Sequence, residues 1–291
     1  MRGVVFLSPT DTKVRITADS TCDIGLDLAR KYNISIVPLY VNLGDDSYRD
    51  GVDITPGDIY DYYDSTHDLA KTSAVSFQDY IDFFRANKAD GEEIIHIGIS
   101  QVMSACYKNA AMAASEIGGV HVVDSRNLST AIGQLVLLAS EMAAEGKSAI
   151  EIVIALKDAR ARLDASFVID NMEFLRKGGR CSSLAAISAN LLQIKPCIKV
   201  IDGEMTVGKK YRGNISKALL QYVDDALADP ATIDKKRLFI THTGCDSATV
   251  DMVKARVAEH IAFDEVIETM AGATITCHAG LNTLGLLFLH L

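Results

Sequence analysis

The sequence predicts an α/β fold in two domains, an N-terminal parallel-sheet domain over residues 13–163 and a C-terminal mixed-sheet domain over 164–291. Strand-like and helix-like runs alternate from residue 14 to about 150, the pattern of a parallel sheet covered by helices. Past residue 163 that rhythm is interrupted by Asp202-Gly203, a hairpin dipeptide between two β-prone runs, so antiparallel pairing enters the second half. Four apolar runs end in a small hydroxyl residue ahead of a helix-like run: Val14–Thr21, Ile94–Ser100, Val120–Ser125 and Leu238–Gly244. In open α/β sheets ligands sit beyond the carboxyl ends of the strands. Helix N-termini there favour anions. The pattern predicts neutral hydroxyl donors gathered where a small anionic group is held.

The elements follow in order. Residues 1–12 read as an extension, followed by a strand at 14–18, a helix at Ile24–Lys31 and a strand at Ser35–Tyr40. Phe77–Asn87 reads as a helix with Tyr80, Ile81 and Phe84 on one face. Strand 94–99, helix 103–117, strand 120–123 and helix 129–145 come next, with Gly118-Gly119 and Gly146 as helix stops. The second half reads as strand Phe167–Ile169, helix Ser182–Leu192, hairpin 198–207, helix 215–227, strand 238–242, helix 247–260, strand 263–268 and strand 284–290. No long linker separates the halves, so the cleft between them is the expected ligand site.

Composition narrows the function. The 291 residues are 48% hydrophobic, ample for a core. A net charge of -9, no Trp and 7% aromatics argue against a nucleic-acid surface, and the charge against an anionic-membrane surface. No apolar run reaches the roughly 18 residues of a membrane span. Met1–Leu7 is too short for a signal peptide's apolar core. A cytoplasmic protein is expected. Its six cysteines form no C-x-x-C pair, which predicts reduced, mostly buried thiols and no metal site. Neither a Walker A sequence nor a dinucleotide glycine fingerprint occurs, and no cofactor is expected.

Several local groups could carry chemistry. In Lys71-Thr72-Ser73-Ala74-Val75-Ser76, Ser76 can cap the helix at Phe77, while Thr72 and Ser73 either serve the turn or point into a cleft. Ser100 and Ser104 open a helix and either cap it or bind an anion. Ser104 has no general-base partner in the sequence and lacks the G-x-S-x-G elbow of a hydrolase. Gly178-Gly179 permits a tight turn among Arg176, Lys177 and Arg180, which is either a solvated turn or a device that brings Arg180 to an anion. Lys199 and Arg212 read as solvated residues. His278 reads as a loop residue before the last strand, either structural or functional. His96, His121 and His242 lie inside strand runs and are expected to be packed there.

The motifs together resemble the DegV family of fatty-acid-binding proteins, which includes the acyl-binding subunits of bacterial fatty acid kinase. Ile16–Asp23 resembles the family's opening motif, and Val37-Pro38-Leu39 with Tyr48–Gly51 its next block. Thr72-Ser73 and Ser76 resemble T-S-Q-P-S, with Ala74 and Val75 in place of Gln and Pro. Ile99–Tyr107 is similar to S-S-x-L-S-G-T-Y. Val123-Asp124-Ser125, Ser129 and Gly133 match a further block, and Arg176–Arg180, Ile194-Lys195-Pro196 and His278-Ala279-Gly280 match the second half. The resemblance implies one long-chain fatty acid enclosed between the two domains. It implies that Thr72, Ser73 and Ser104 hold the carboxyl with His278 beside them, and that Arg180, with His278, acts in phosphorylation. It also implies a separate ATP-binding kinase subunit as partner. The chain departs from the family at Ala105 (Gly), Cys106 (Thr) and Leu281-Asn282 (Pro-Gly), which bears on head-group geometry and kinase coupling. The competing classes are an autonomous α/β enzyme, either a serine hydrolase or a small kinase, and a regulatory α/β protein without lipid transfer.

Overall fold

The computed structural model describes residues 14–186 and 194–291. The first part of the chain runs β1 (Val14–Asp19), α1 (Gly25–Lys31), β2 (Ser35–Val37), β3 (Tyr40–Leu43), β4 (Asp46–Arg49), α2 (Pro56–Thr66) and β5 (Lys71–Ser73). It continues through α3 (Phe77–Asn87), β6 (Glu93–Gly98), α4 (Cys106–Ile117), β7 (Val120–Asp124), α5 (Thr130–Ala144) and α6 (Ala149–Ala161). A sheet of order β2-β1-β6-β7 is parallel at every pairing. Ile94, Ile95 and Ile97 of β6 are fully buried, as an inner strand covered on both faces requires.

The expected strand at 35–40 is two strands. β2 pairs with β1, whereas β3 joins a small antiparallel sheet of order β4-β3-β5. Pro38 lies between them and has no N–H to extend a ladder. Helix α4 begins at Cys106 rather than 103, because Met103 and Ser104 donate their N–H groups to the Ser100 carbonyl in a turn. Ser76 does cap α3: its hydroxyl accepts the Asp79 N–H at 3.1 Å, and the Asp79 carboxylate accepts the Ser76 N–H in return. The elements expected from the sequence do not include α2 or α6, which open with the same reciprocal device at Thr55/Asp58 and Ser148/Glu151.

The second part runs β8 (Leu163–Val168), α7 (Met172–Gly178), β9 (Ile194–Ile201), β10 (Glu204–Arg212), α8 (Ile215–Ala226), β11 (Arg237–His242), α9 (Ser247–His260), β12 (Glu265–Met270), α10 (Ala273–Ala279) and β13 (Leu284–Leu289). Its sheet, β10-β9-β8-β13-β11-β12, is mixed: β11 and β12 are parallel and the other pairings antiparallel. The β9–β10 hairpin turns at Asp202 and Gly203, both at positive φ (51° and 89°), as this dipeptide predicts. The fold is thus mixed α/β, with a parallel sheet first and a mixed sheet after it. Of the helix expected at 182–192, Ser182–Ala186 is a short 3-10 turn, and residues 187–193 lie outside the described residues, as does the extension at 1–12.

Helix α5 joins the halves. It packs against β1 and β6 of the parallel sheet and against β8, β11 and β13 of the mixed one. Ala131, Ile132, Leu135, Val136 and Leu137 are all fully buried, so it is apolar around its circumference. Its buried Gln134 donates to the carbonyls of Arg237 and Leu287, both at 3.1 Å, which satisfies the amide inside the core. All six cysteines are free thiols. Among the described residues no helix is long and apolar enough to cross a membrane.

Candidate functional site

A cavity of about 290 Å³ opens where the ends of the two large sheets meet α10 and β5. Leu39, Ile99 and Leu128 from the first half face Phe167, Met205 and Leu287 from the second. Its size lies near the lower limit of ligand pockets, roughly 300 Å³.

Thr72, Ser73, Ser104, Arg180 and His278 all line this cavity. Thr72 is placed by the β3–β5 ladder, opposite Val41. Its Oγ1 lies 2.9 Å from His278 Nε2. His278 is not in a loop: it stands in the last turn of α10. Its Nδ1 is buried and without a partner among the described residues. Burial, with the Arg180 guanidinium adding to it, holds the imidazole down at about 4, so the ring is neutral near pH 7.

The double glycine serves this histidine. A Cβ on Gly178 would lie 2.4 Å from His278 Nδ1, so only glycine lets α7 approach the ring. Gly179 ends α7 at φ +70°, and Arg180 leaves the turn exposed, donating to the Gly178 carbonyl at 2.6 Å. Arg180, Thr72 and His278 also border an adjoining cleft of about 560 Å³ that includes Lys71 and Lys177. Arg180 therefore stands at the boundary between cavity and outer cleft. Ser73 is exposed and accepts from Asn42 at 2.8 Å. Ser104 is half-buried, and its oxygen accepts the Cys106 N–H at 3.3 Å.

The hydroxyls at the four strand ends do not form one donor cluster. Thr21 donates to Asp19, Ser20 to Asp50 at 2.8 Å, Ser100 to the Gly203 carbonyl at 2.8 Å and Ser125 to the Asn127 carbonyl at 3.2 Å. Thr21 and Ser125 are engaged within local turns, Ser20 by a more distant residue of the same half, and Ser100 by the opposite half of the chain. In the fourth run Thr241 and Thr243 do line the cavity. Thr241 is paired with Thr130 at 2.6 Å, and Thr243 donates to the Gly280 carbonyl. His242 also lines the cavity, with Nε2 3.3 Å from Glu268. His96 is buried beside Thr17, and His121 pairs with Glu93. Lys199 and Arg212 are exposed, as the sequence reading expected.

Thr274, Thr283 and Met205, all cavity residues, are not among the site residues expected from the sequence. Ser129, another cavity residue, adopts φ 53° and ψ -147°, a region that is nearly glycine-only. Its hydroxyl donates to Asp23 at 2.6 Å.

A model of the DegV family, described as "uncharacterised protein, DegV family", matches residues 13–291. A DegV domain-containing protein of Clostridium acetobutylicum is 31% identical over 279 residues, 95% of this chain and 98% of that protein. A fatty acid-binding protein of Thermotoga maritima is 29% identical over 280 residues, 94% of this chain and 96% of that protein. The structure of a DegV family protein from Thermus thermophilus, described for its fatty acid binding, has a TM-score of 0.88 at 28% identity and covers 96% of this chain and 99% of that one. With its motifs, its fold and a match over nearly its whole length, this chain belongs to the DegV family.

Proposed function

We propose that the protein binds one long-chain fatty acid in this cavity, between an N-terminal and a C-terminal unit divided near residue 163. The observation that carries the reading is a cavity with apolar walls that is bordered by the Thr72–His278 pair. Alkyl burial contributes about 0.8 kcal/mol per CH₂, so roughly a dozen methylenes hold the ligand without a buried cation. In the tautomer that carries its proton on Nε2 the neutral imidazole donates to Thr72 Oγ1, and the Thr72 hydroxyl proton is then left for a carboxylate oxygen. Ser104 supplies a second O–H and Ser73 lies beside Thr72. Relatives described as fatty acid binders support the reading.

The finer reading is that this cytoplasmic protein presents the carboxyl group to a separate ATP-binding fatty acid kinase subunit, which forms the acyl phosphate. Arg180 at the boundary of the outer cleft supports it, because a guanidinium placed there meets the charge that grows on a transferring phosphoryl group. The test has two arms. Titration of delipidated protein with palmitic acid should give saturable one-to-one binding, and labelled ATP with a kinase subunit should yield acyl phosphate only when the acid is bound. No saturable binding contradicts the first reading, and binding without transfer contradicts the second.

A further inference from the structure

A second cleft, of about 420 Å³, is lined by both halves of the chain and shares no lining residue with the cavity described above. Asn127 borders it, while the next two residues, Leu128 and Ser129, border the cavity. In a chain of net charge -9 this cleft is cationic: Arg126, Lys157, Arg160 and Lys199 line it against the carboxylates of Asp164 and Asp202. Both carboxylates have neighbours already. Asp164 lies 3.3 Å from His290 Nε2, and Asp202 lies 3.6 Å from the Arg126 guanidinium. The Asp202 side chain is 87% exposed, and an ion pair so open to water contributes little. Lys157 and Lys199 have no ion-pair partner among the described residues.

Three of the lining residues are fixed by the fold. Arg160 is half-buried and donates Nη1–H to the Asp124 backbone carbonyl at 2.7 Å, which holds its guanidinium and leaves further N–H groups free to donate. Arg126 stands at φ 50°, a left-handed conformation, and its N–H donates to the Asp124 carboxylate at 2.9 Å. Asn127 is only 4% exposed. Its Oδ1 accepts the Leu128 N–H at 3.3 Å, which sets the orientation of the amide. The amide nitrogen donates to nothing among the described residues, and it is not sealed from solvent. A nearly buried amide with two free N–H groups beside four cations is a donor set without an acceptor.

We propose that this cleft binds a soluble phosphorylated small molecule. Guanidinium groups meet phosphate oxygens in a bidentate way, and the lysine ammoniums add point charges around them. The Asn127 amide donates to an oxygen of the same group. A concave site lined by one sign of charge concentrates small ions of the other sign. The overall charge of -9 keeps an anionic membrane away, whereas a small anion reaches the cleft alone. The site is independent of the fatty-acid reading, since the two share no residue.

The test is calorimetric titration of the full chain with inorganic pyrophosphate, in wild type and in the double variant Lys157→Gln, Lys199→Gln. Wild type should bind one pyrophosphate saturably. The double variant should bind it roughly tenfold or more weakly, the worth of a hydrogen bond to a charged group. Both lysines are exposed, so the variant should unfold thermally at the wild-type midpoint. Asn127→Asp keeps the oxygen that accepts from Leu128 and sets a negative charge at the cleft, and it should abolish the binding. A wild type without saturable binding overturns the proposal, and that measurement needs no variant to fold. Full affinity in the double variant, with a loss in Arg180→Ala instead, would put the anion in the outer cleft beside Thr72 and overturn it as well.

Discussion

Asp23 accepts the backbone N–H of Gly272 at 2.8 Å, across 249 residues of sequence, and so ties the end of the first strand's turn to the start of α10. Burial pushes the Asp23 carboxyl up to about 8 and that of Asp19 to about 6, while it holds His96 at about 3 and His278 at about 4. These shifts oppose one another. A carboxyl raised in the fold keeps a proton that the unfolded chain has released, so its contribution is lost as pH rises from about 4 toward 8. A depressed histidine contributes stability that is lost as pH falls below about 6.5. Together these groups place maximum stability near pH 6.5, as an order-of-magnitude position. The decline from there to pH 8 belongs to Asp23 and is on the order of 2 kcal/mol. Denaturant unfolding at both pH values should show that decline in wild type and not in Asp23→Asn; the same decline in the variant would contradict the assignment.

Gly178→Ala and Gly179→Ala separate two roles of neighbouring glycines. A methyl at 178 meets His278 Nδ1, whereas one at 179 meets open space but sits at φ +70°. Gly178→Ala should cost about 1–3 kcal/mol, as overpacking does, and should weaken fatty acid binding by displacing the imidazole. Gly179→Ala should cost about 1–2 kcal/mol in backbone strain and leave the His278 ring resonances in place. Thermal unfolding with imidazole NMR checks both, and an unmoved ring in Gly178→Ala would show that the close approach is not needed.

Thr72→Val and Ser104→Ala should each weaken fatty acid binding roughly tenfold or more, since a hydrogen bond to a charged group is worth about 1.5–3 kcal/mol. Calorimetric titration reads the loss. Unchanged affinity in both variants would move the carboxyl away from these hydroxyls.

The parts of this architecture that the sequence disclosed are those set by local chemistry. Ser76 with Asp79, and Asp202 with Gly203, each determine a helix start or a hairpin within a few residues. The parts it hid depend on distant partners. Ala273–Ala279 carries three β-branched residues and is only seven residues long, too short to be stable alone, so nothing local announces a helix. Asp23 and Asp50 support it from far along the chain, and that is why His278 read as a loop residue. The small β4-β3-β5 sheet was hidden for a similar reason: β4 is four residues with little apolar alternation. Thr72, Ser73, Ser104, Arg180 and His278 were found as motif residues; their convergence on one cavity required the fold.

Arg180→Ala should retain fatty acid binding and lose acyl-phosphate formation with an ATP-binding subunit, because Arg180 is exposed at the boundary of the outer cleft. Paired binding and labelled-phosphate assays read the two effects. A loss of both in equal proportion would make Arg180 a binding residue.

Native mass spectrometry of the purified full chain reads whether the cavity holds one fatty acid. The spectrum should show a bound species heavier than the polypeptide by a single fatty acid, which exchanges one-for-one with added C14–C18 acids. A spectrum that shows only the bare polypeptide, before and after those additions, would contradict it.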